Sequence, residues 1–208
     1  MTTFEEEVVK SYYNLKGYFT IENLIFPAKE KRKGGKGRGE IDLVAVKIDE
    51  NGKVIDAVHV EVTASIDAKF PFLSKKKHAD EINKLLKKFF ISDADDKLKE
   101  LYNGKYEYQF VTSVFRDDVE KILREELTRR GANVIHIKKE NGSILIKLQY
   151  QGKTKEIKIT SFAEILTQLM NEMKGRTEHF PNVTLRAIQW FNLLEKYKEM
   201  IKSGKFSK

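Results

Sequence analysis

Asn51-Gly52 stands between two runs of apolar and β-branched residues, Ile41 to Ile48 and Val54 to Thr63. Asn-Gly is the strongest short-range hairpin signal, because both residues tolerate the positive φ that a tight turn between twisted strands demands. Taken as a two-residue loop, it sets the register of the whole pair. Glu50 pairs with Lys53, and each step outward adds one residue on either strand. Lys47 then faces Asp56, Ala45 faces Val58 and Leu43 faces Val60. One step further, Asp42 falls opposite Glu61, and Glu40 opposite Thr63. Because strand side chains alternate, Glu40, Asp42, His59, Glu61 and Thr63 share one face.

That juxtaposition is costly. Directly opposed residues carry their Cβ atoms roughly 4.5–5.5 Å apart, and two carboxylates at that distance repel unless a cation lies between them. The rest of the hairpin is apolar on both faces, as in a buried central strand pair. With no cysteine in the chain, thiolate metal sites and disulfides are excluded. A cation held by Asp42 and Glu61 is then a hard, oxygen-liganded one, Mg²⁺ first and Mn²⁺ as its substitute.

Periodicity assigns the remaining elements. Thr3 to about Tyr18 reads as a helix with Phe4, Val8, Tyr12 and Leu15 on one stripe, ended by Gly17, and Phe19 to Phe26 reads as a strand. A helix is expected from about Ser74 to Phe90 on Ile82, Leu85, Leu86 and Phe89, then a strand from Tyr106 to Phe115. A helix from Asp117 to Arg130 stops at Gly131, and a short strand follows from Asn133 to Ile137. The order to this point is α-β-β-β-α-β-α-β. Beyond it, Ser143 to Tyr150 and Thr154 to Ile159 form a second hairpin around Gln151-Gly152. Ser161 with Glu164 opens a helix to about Met173, and a last helix runs from about Val183 to Ile201. The 208 residues divide, on this reading, into a core over 1–138 and a hairpin-plus-helices extension over 139–208. Trp190 and Phe191 fall in an apolar helical pattern suited to a core or an interface.

The formal net charge is +8, which favours a polyanionic partner. Much of the surplus sits in one glycine-rich stretch, Lys31-Arg32-Lys33-Gly34-Gly35-Lys36-Gly37-Arg38-Gly39, leading into the strand that bears Asp42. No Gly-Lys-Ser/Thr occurs there and no helix follows, so it is neither a P-loop nor a dinucleotide fingerprint. Lys31, Arg32, Lys33, Lys36 and Arg38 are instead placed to meet nucleic-acid phosphates beside a metal site. No run is apolar enough to span a membrane, and no signal peptide is evident at Met1-Thr2-Thr3-Phe4-Glu5. A soluble, cytoplasmic protein is expected, and the abundance of Lys, Glu and Ile suits a thermophile.

The segments Gly39-Glu40-Ile41-Asp42-Leu43-Val44-Ala45 and Val60-Glu61-Val62-Thr63 resemble the core motif of the PD-(D/E)XK nucleases, with archaeal Holliday-junction resolvases as the nearest flavour. The α-β-β-β-α-β order over residues 3 to about 137 is similar to that superfamily's core, about two thirds of the chain. The resemblance implies a restriction-endonuclease-like α/β fold, a mixed central sheet flanked by helices. It implies an Mg²⁺-dependent deoxyribonuclease, with branched DNA among its substrates and a homodimer as the assembly. Asp42 and Glu61 would hold the metal. Glu6, or Glu7 beside it, would be the helix-borne carboxylate. One position departs from the motif: where the family has lysine two residues after the glutamate, this chain has Thr63. A hydroxyl binds water but brings no positive charge. Either a lysine of the next segment, Lys75, Lys76 or Lys77, reaches the site, or the metal alone activates water. The alternative is a nuclease-fold module that binds DNA without cutting it.

Overall fold

The computed structural model describes residues 3–27, 38–64, 72–74 and 78–203. Its elements run α1 (Phe4–Leu15), β1 (Phe19–Pro27), β2 (Arg38–Ile48), β3 (Val54–Val62), α2 (His78–Leu86), a π-helical turn (Lys87–Ile91) and α3 (Ala94–Leu101). There follow β4 (Glu107–Thr112), α4 (Val119–Arg129), β5 (Asn133–Glu140), β6 (Ser143–Tyr150), β7 (Lys153–Ser161), α5 (Phe162–Glu172) and α6 (Val183–Lys202). The fold is α/β: one mixed seven-stranded sheet, in the order β1-β2-β3-β4-β7-β6-β5, flanked by helices. Among the described residues no helix is long and apolar enough to cross a membrane.

In the second hairpin, over 143–161, β7 lies parallel to β4 inside the sheet, and β5 lies at the far edge. Its apolar residues explain this. Ile144, Ile146, Leu148, Ile157 and Ile159 are fully buried in one cluster with Phe110 of β4, Leu85 and Phe89 of the α2 layer, and Leu123 and Leu127 of α4. The other face of the sheet packs Leu43, Ala45, Val58 and Val60 against Val8, Val9 and Tyr13 of α1 and against α5 and α6.

The register of β2 and β3 is the expected one, with Leu43 on Val60, Ala45 on Val58 and Lys47 on Asp56. The turn that produces it is different. Asp49 N donates to Lys53 O at 2.9 Å and Gly52 N to Asp49 O at 3.0 Å, so the loop has three residues, Glu50, Asn51 and Gly52. Asp49 Oδ1 accepts from the amides of Asn51 and Lys53, which favours this turn over the two-residue one. Pairing of Ile48 with Val54 is one residue out of step, and a bulge between Lys47 and Ile48 restores it. The hairpin at Gln151-Gly152 does take the two-residue form, with both residues at positive φ.

Two helices depart from their patterns. α1 opens with the capping box of Thr3 and Glu6, but it turns Val8, Val9 and Tyr13 inward and leaves Phe4 exposed. The helix expected to end near Phe90 changes to a π-turn at Lys87, and α3, not anticipated, follows it.

Candidate metal centre

β2 and β3 part company just beyond the Leu43–Val60 pair. Past that point β3 follows β4, Glu61 pairing with Phe110 and Thr63 N donating to Val111 O at 2.8 Å. Asp42 fills the place of the lost ladder with its side chain, Oδ2 accepting from Val62 N at 2.8 Å. The expected pairs Asp42–Glu61 and Glu40–Thr63 are therefore not formed in the ladder, although Asp42 and Glu61 still reach one face of the sheet. A third charged group meets them. Lys88, from the π-turn, sets its Nζ 3.1 Å from Asp42 Oδ1, in an ion pair with Glu61 Oε2, and 3.0 Å from the backbone oxygen of Glu40.

The π-turn explains how a helix delivers a lysine there. Leu85, Leu86, Phe89 and Phe90 are buried on either side of Lys88, so the helix is committed to the core on both flanks. One extra residue per turn rotates the chain locally, and π-turns of this kind concentrate at functional sites. Lys88 stays only 28% exposed, with its hydrocarbon stem among apolar neighbours and its charge at the carboxylates.

His59 completes the cluster. It is fully buried between Phe89 and Tyr108, and its Nε2 lies 2.7 Å from Glu61 Oε1. Burial, with Lys155 and Lys88 nearby, pushes its pKa down to about 3. The ring is thus neutral, and Nε2–H donates to the carboxylate. Nδ1 has no hydrogen-bond partner among the described residues. The bond leaves Glu61 little rotational freedom and aims Oε2 at Lys88.

The electrostatics show two carboxylates sharing one ammonium. Burial and the neighbouring Glu61 raise the Asp42 carboxyl to about 6, against the opposing pull of Lys88. Burial also raises Glu61, with Lys88 opposing. Desolvation lowers the Lys88 ammonium, but the two acids outweigh it and its pKa ends above the ordinary lysine value. The cluster is one cation short of neutral when both acids are ionised. Its donors, two carboxylate oxygens and one carbonyl oxygen, are those a hard divalent cation takes. Among the described residues no third Asp, Glu or His joins them in a metal-binding group.

Other expected members lie elsewhere or outside the described residues. Glu6 accepts from Thr3 N at 2.7 Å and closes the N-terminus of α1, and Glu7 accepts from Asn182. Thr63 Oγ1 is turned to Val111 O. Arg38 is exposed at the start of β2. Lys31, Arg32, Lys33, Lys36, Lys75, Lys76 and Lys77 fall outside the described residues. The two members that sequence reasoning did not select are Lys88 and His59. His59 was visible on the face of Glu61, two residues away. Lys88 borders the apolar stripe of α2, with no local sign of its target.

No protein-family model, curated protein or solved structure matches this chain.

Proposed function

We propose that the protein is a metal-dependent nuclease of the PD-(D/E)XK type that hydrolyses phosphodiester bonds in DNA, with Lys88 in the part the motif lysine plays. The observation that carries this reading is the meeting of Asp42, Glu61 and Lys88 where β2 and β3 separate. The succession α1-β1-β2-β3-α2 and then β4 supports a restriction-endonuclease-like core, with α3 added before β4. The excess of positive charge supports a nucleic-acid substrate.

A divalent cation held by Asp42 and Glu61 would supply Lewis-acid polarisation of the phosphate and a bound water of lowered pKa. The chain's own residues do the rest. His59 holds Glu61 in one orientation. The Val62 amide holds Asp42. The ammonium of Lys88 stands at the same two carboxylates and keeps a positive charge beside the site. There it attracts a phosphate oxygen and steadies the charge that builds on it during attack. Exposed Arg38 would contribute to the grip on the backbone.

The test is cleavage of linear, single-stranded and four-way-junction DNA by the full chain with Mg²⁺ or Mn²⁺. Cleavage is expected, abolished in Asp42→Ala and reduced on the order of 10²–10³-fold in Lys88→Met. Loss of the ammonium also strands two buried acids, so Lys88→Met should unfold about 3 kcal/mol more easily without metal. Added Mg²⁺ should return part of that stability. Tight DNA binding without cleavage under either metal would overturn the enzyme reading in favour of a non-cutting DNA-binding module.

A further inference from the structure

A second charged cluster lies at the opposite end of the parallel strands, where β4 and β7 begin. Lys155 of β7 is 8% exposed, and its Nζ is 2.5 Å from Oδ1 of Asp95, near the start of α3. Lys153 takes the other oxygen of the same carboxylate, Nζ to Oδ2 at 3.3 Å. Two ammonium groups thus share one acid, the reverse of the candidate metal centre, where two acids share one ammonium. The ring of Tyr108, its centroid 4.1 Å from Lys155 Nζ, makes up part of the deficit. Burial still outweighs the pull of Asp95, with Lys153 and Lys99 adding to it, and holds the Lys155 pKa below the ordinary lysine value. The cluster is one anion short of neutral.

Lys155 and Asp95 line a cleft of about 500 Å³, within the size range of small-molecule sites. Leu98, Leu145 and Tyr108 give it an apolar side. Lys99, Lys105 and Lys158 stand exposed around it, against the exposed acids Glu107 and Glu156, and none of the three lysines is ion-paired among the described residues. Cations therefore outnumber acids by two to one at the buried end and by three to two at the mouth, an excess of one charge at each. A phosphomonoester carries close to two negative charges at neutral pH, whereas a carboxylate or a phosphodiester carries one. Every cation here is a lysine, which binds phosphate as a point charge and needs no fixed fork. We propose that this cleft binds a small phosphomonoester, with its phosphate on Lys155 and the lysines of the mouth and its body against Tyr108, Leu98 and Leu145. The volume admits a body of nucleoside size beside the phosphate. Lys155 gains most from such a ligand, because the missing negative charge arrives where water screens it least.

This binding is independent of any nuclease activity, and its test uses no DNA and no divalent cation. The full chain is titrated calorimetrically in EDTA with adenosine monophosphate, inorganic phosphate and adenosine. Saturable binding of the monophosphate to one site is expected, with a Kd below about 1 mM. Inorganic phosphate should compete for that site, and adenosine should bind at least about tenfold more weakly. Lys155→Met should weaken the monophosphate at least about tenfold, the worth of one charge-assisted hydrogen bond. Asp95→Asn should tighten it, because the resident carboxylate no longer competes for Lys153 and Lys155. The double variant Lys105→Gln with Lys158→Gln changes only exposed side chains, so it keeps the question open to measurement should Lys155→Met fail to fold. It should weaken binding about threefold. No saturable binding of the monophosphate, adenosine bound as tightly, an affinity untouched by the lysine variants, or one not raised by Asp95→Asn would each overturn the proposal.

Discussion

Replacing Asp42 by Asn should stabilise the protein at neutral pH, although it removes the residue on which the proposed activity depends. In the folded chain the Asp42 carboxyl titrates near 6, against 3.8 for an ordinary Asp. Between those values the folded state keeps a proton that the unfolded chain has released, so stability falls as pH rises through the window and is lowest above it. Two pKa units correspond to about 3 kcal/mol. Part of that is lost again in desolvating the amide, so a gain of about 2 kcal/mol is expected above pH 6, vanishing by pH 4. Urea unfolding of both proteins at pH 4 and pH 8 measures it; equal stabilities at both values would refute the shared-ammonium account. The need for positive charge beside Asp42 and Glu61 was legible in the sequence, because two carboxylates on one face of an apolar hairpin repel each other. That the chain itself supplies an ammonium was not legible. Lys88 is one lysine among many, and only the packing of its neighbours aims it.

At the scale of the element, the first hairpin reaches the expected register by an unexpected route. A three-residue loop shifts the pairing by one, and the bulge between Lys47 and Ile48 shifts it back. The buried faces enforce the restoration, because a one-residue slip would turn Leu43, Ala45, Val58 and Val60 away from α1. Gly52 carries the strain of the loop, at φ +77° with open space where a Cβ would stand. Gly52→Ala should therefore cost about 1 kcal/mol through backbone conformation alone, and Gly52→Asn less. DNA cleavage should be unchanged in both, because Asp42 and Glu61 lie at the other end of the hairpin. Thermal unfolding and the cleavage assay together check this. The break from α2 into the π-turn belongs to the same scale: helical periodicity reads through residues 82 to 90 without a flaw, and the irregularity comes from fitting Phe89 and Phe90 into the core around Lys88.

For the whole molecule, the decisive fact is that β7 stands between β4 and β6. Residues 1–138 expressed alone should not fold. They would forfeit the five fully buried residues Ile144, Ile146, Leu148, Ile157 and Ile159, at about 2 kcal/mol each, a sum comparable to the entire stability of a typical domain. A dispersed amide spectrum from that fragment would overturn this expectation. The sequence by itself determined the local things: the two hairpins, the helices with clear apolar stripes, and the placing of Asp42 and Glu61 on one face. Each of these depends on contacts between near neighbours, where turn chemistry and side-chain period leave few options. Strand order, the burial of the second hairpin, the meeting of Lys88 with the two carboxylates and the contact of His59 with Glu61 were decided by the tertiary structure. They join residues far apart in the chain, and many arrangements satisfy the same local patterns until the apolar faces have to be covered together.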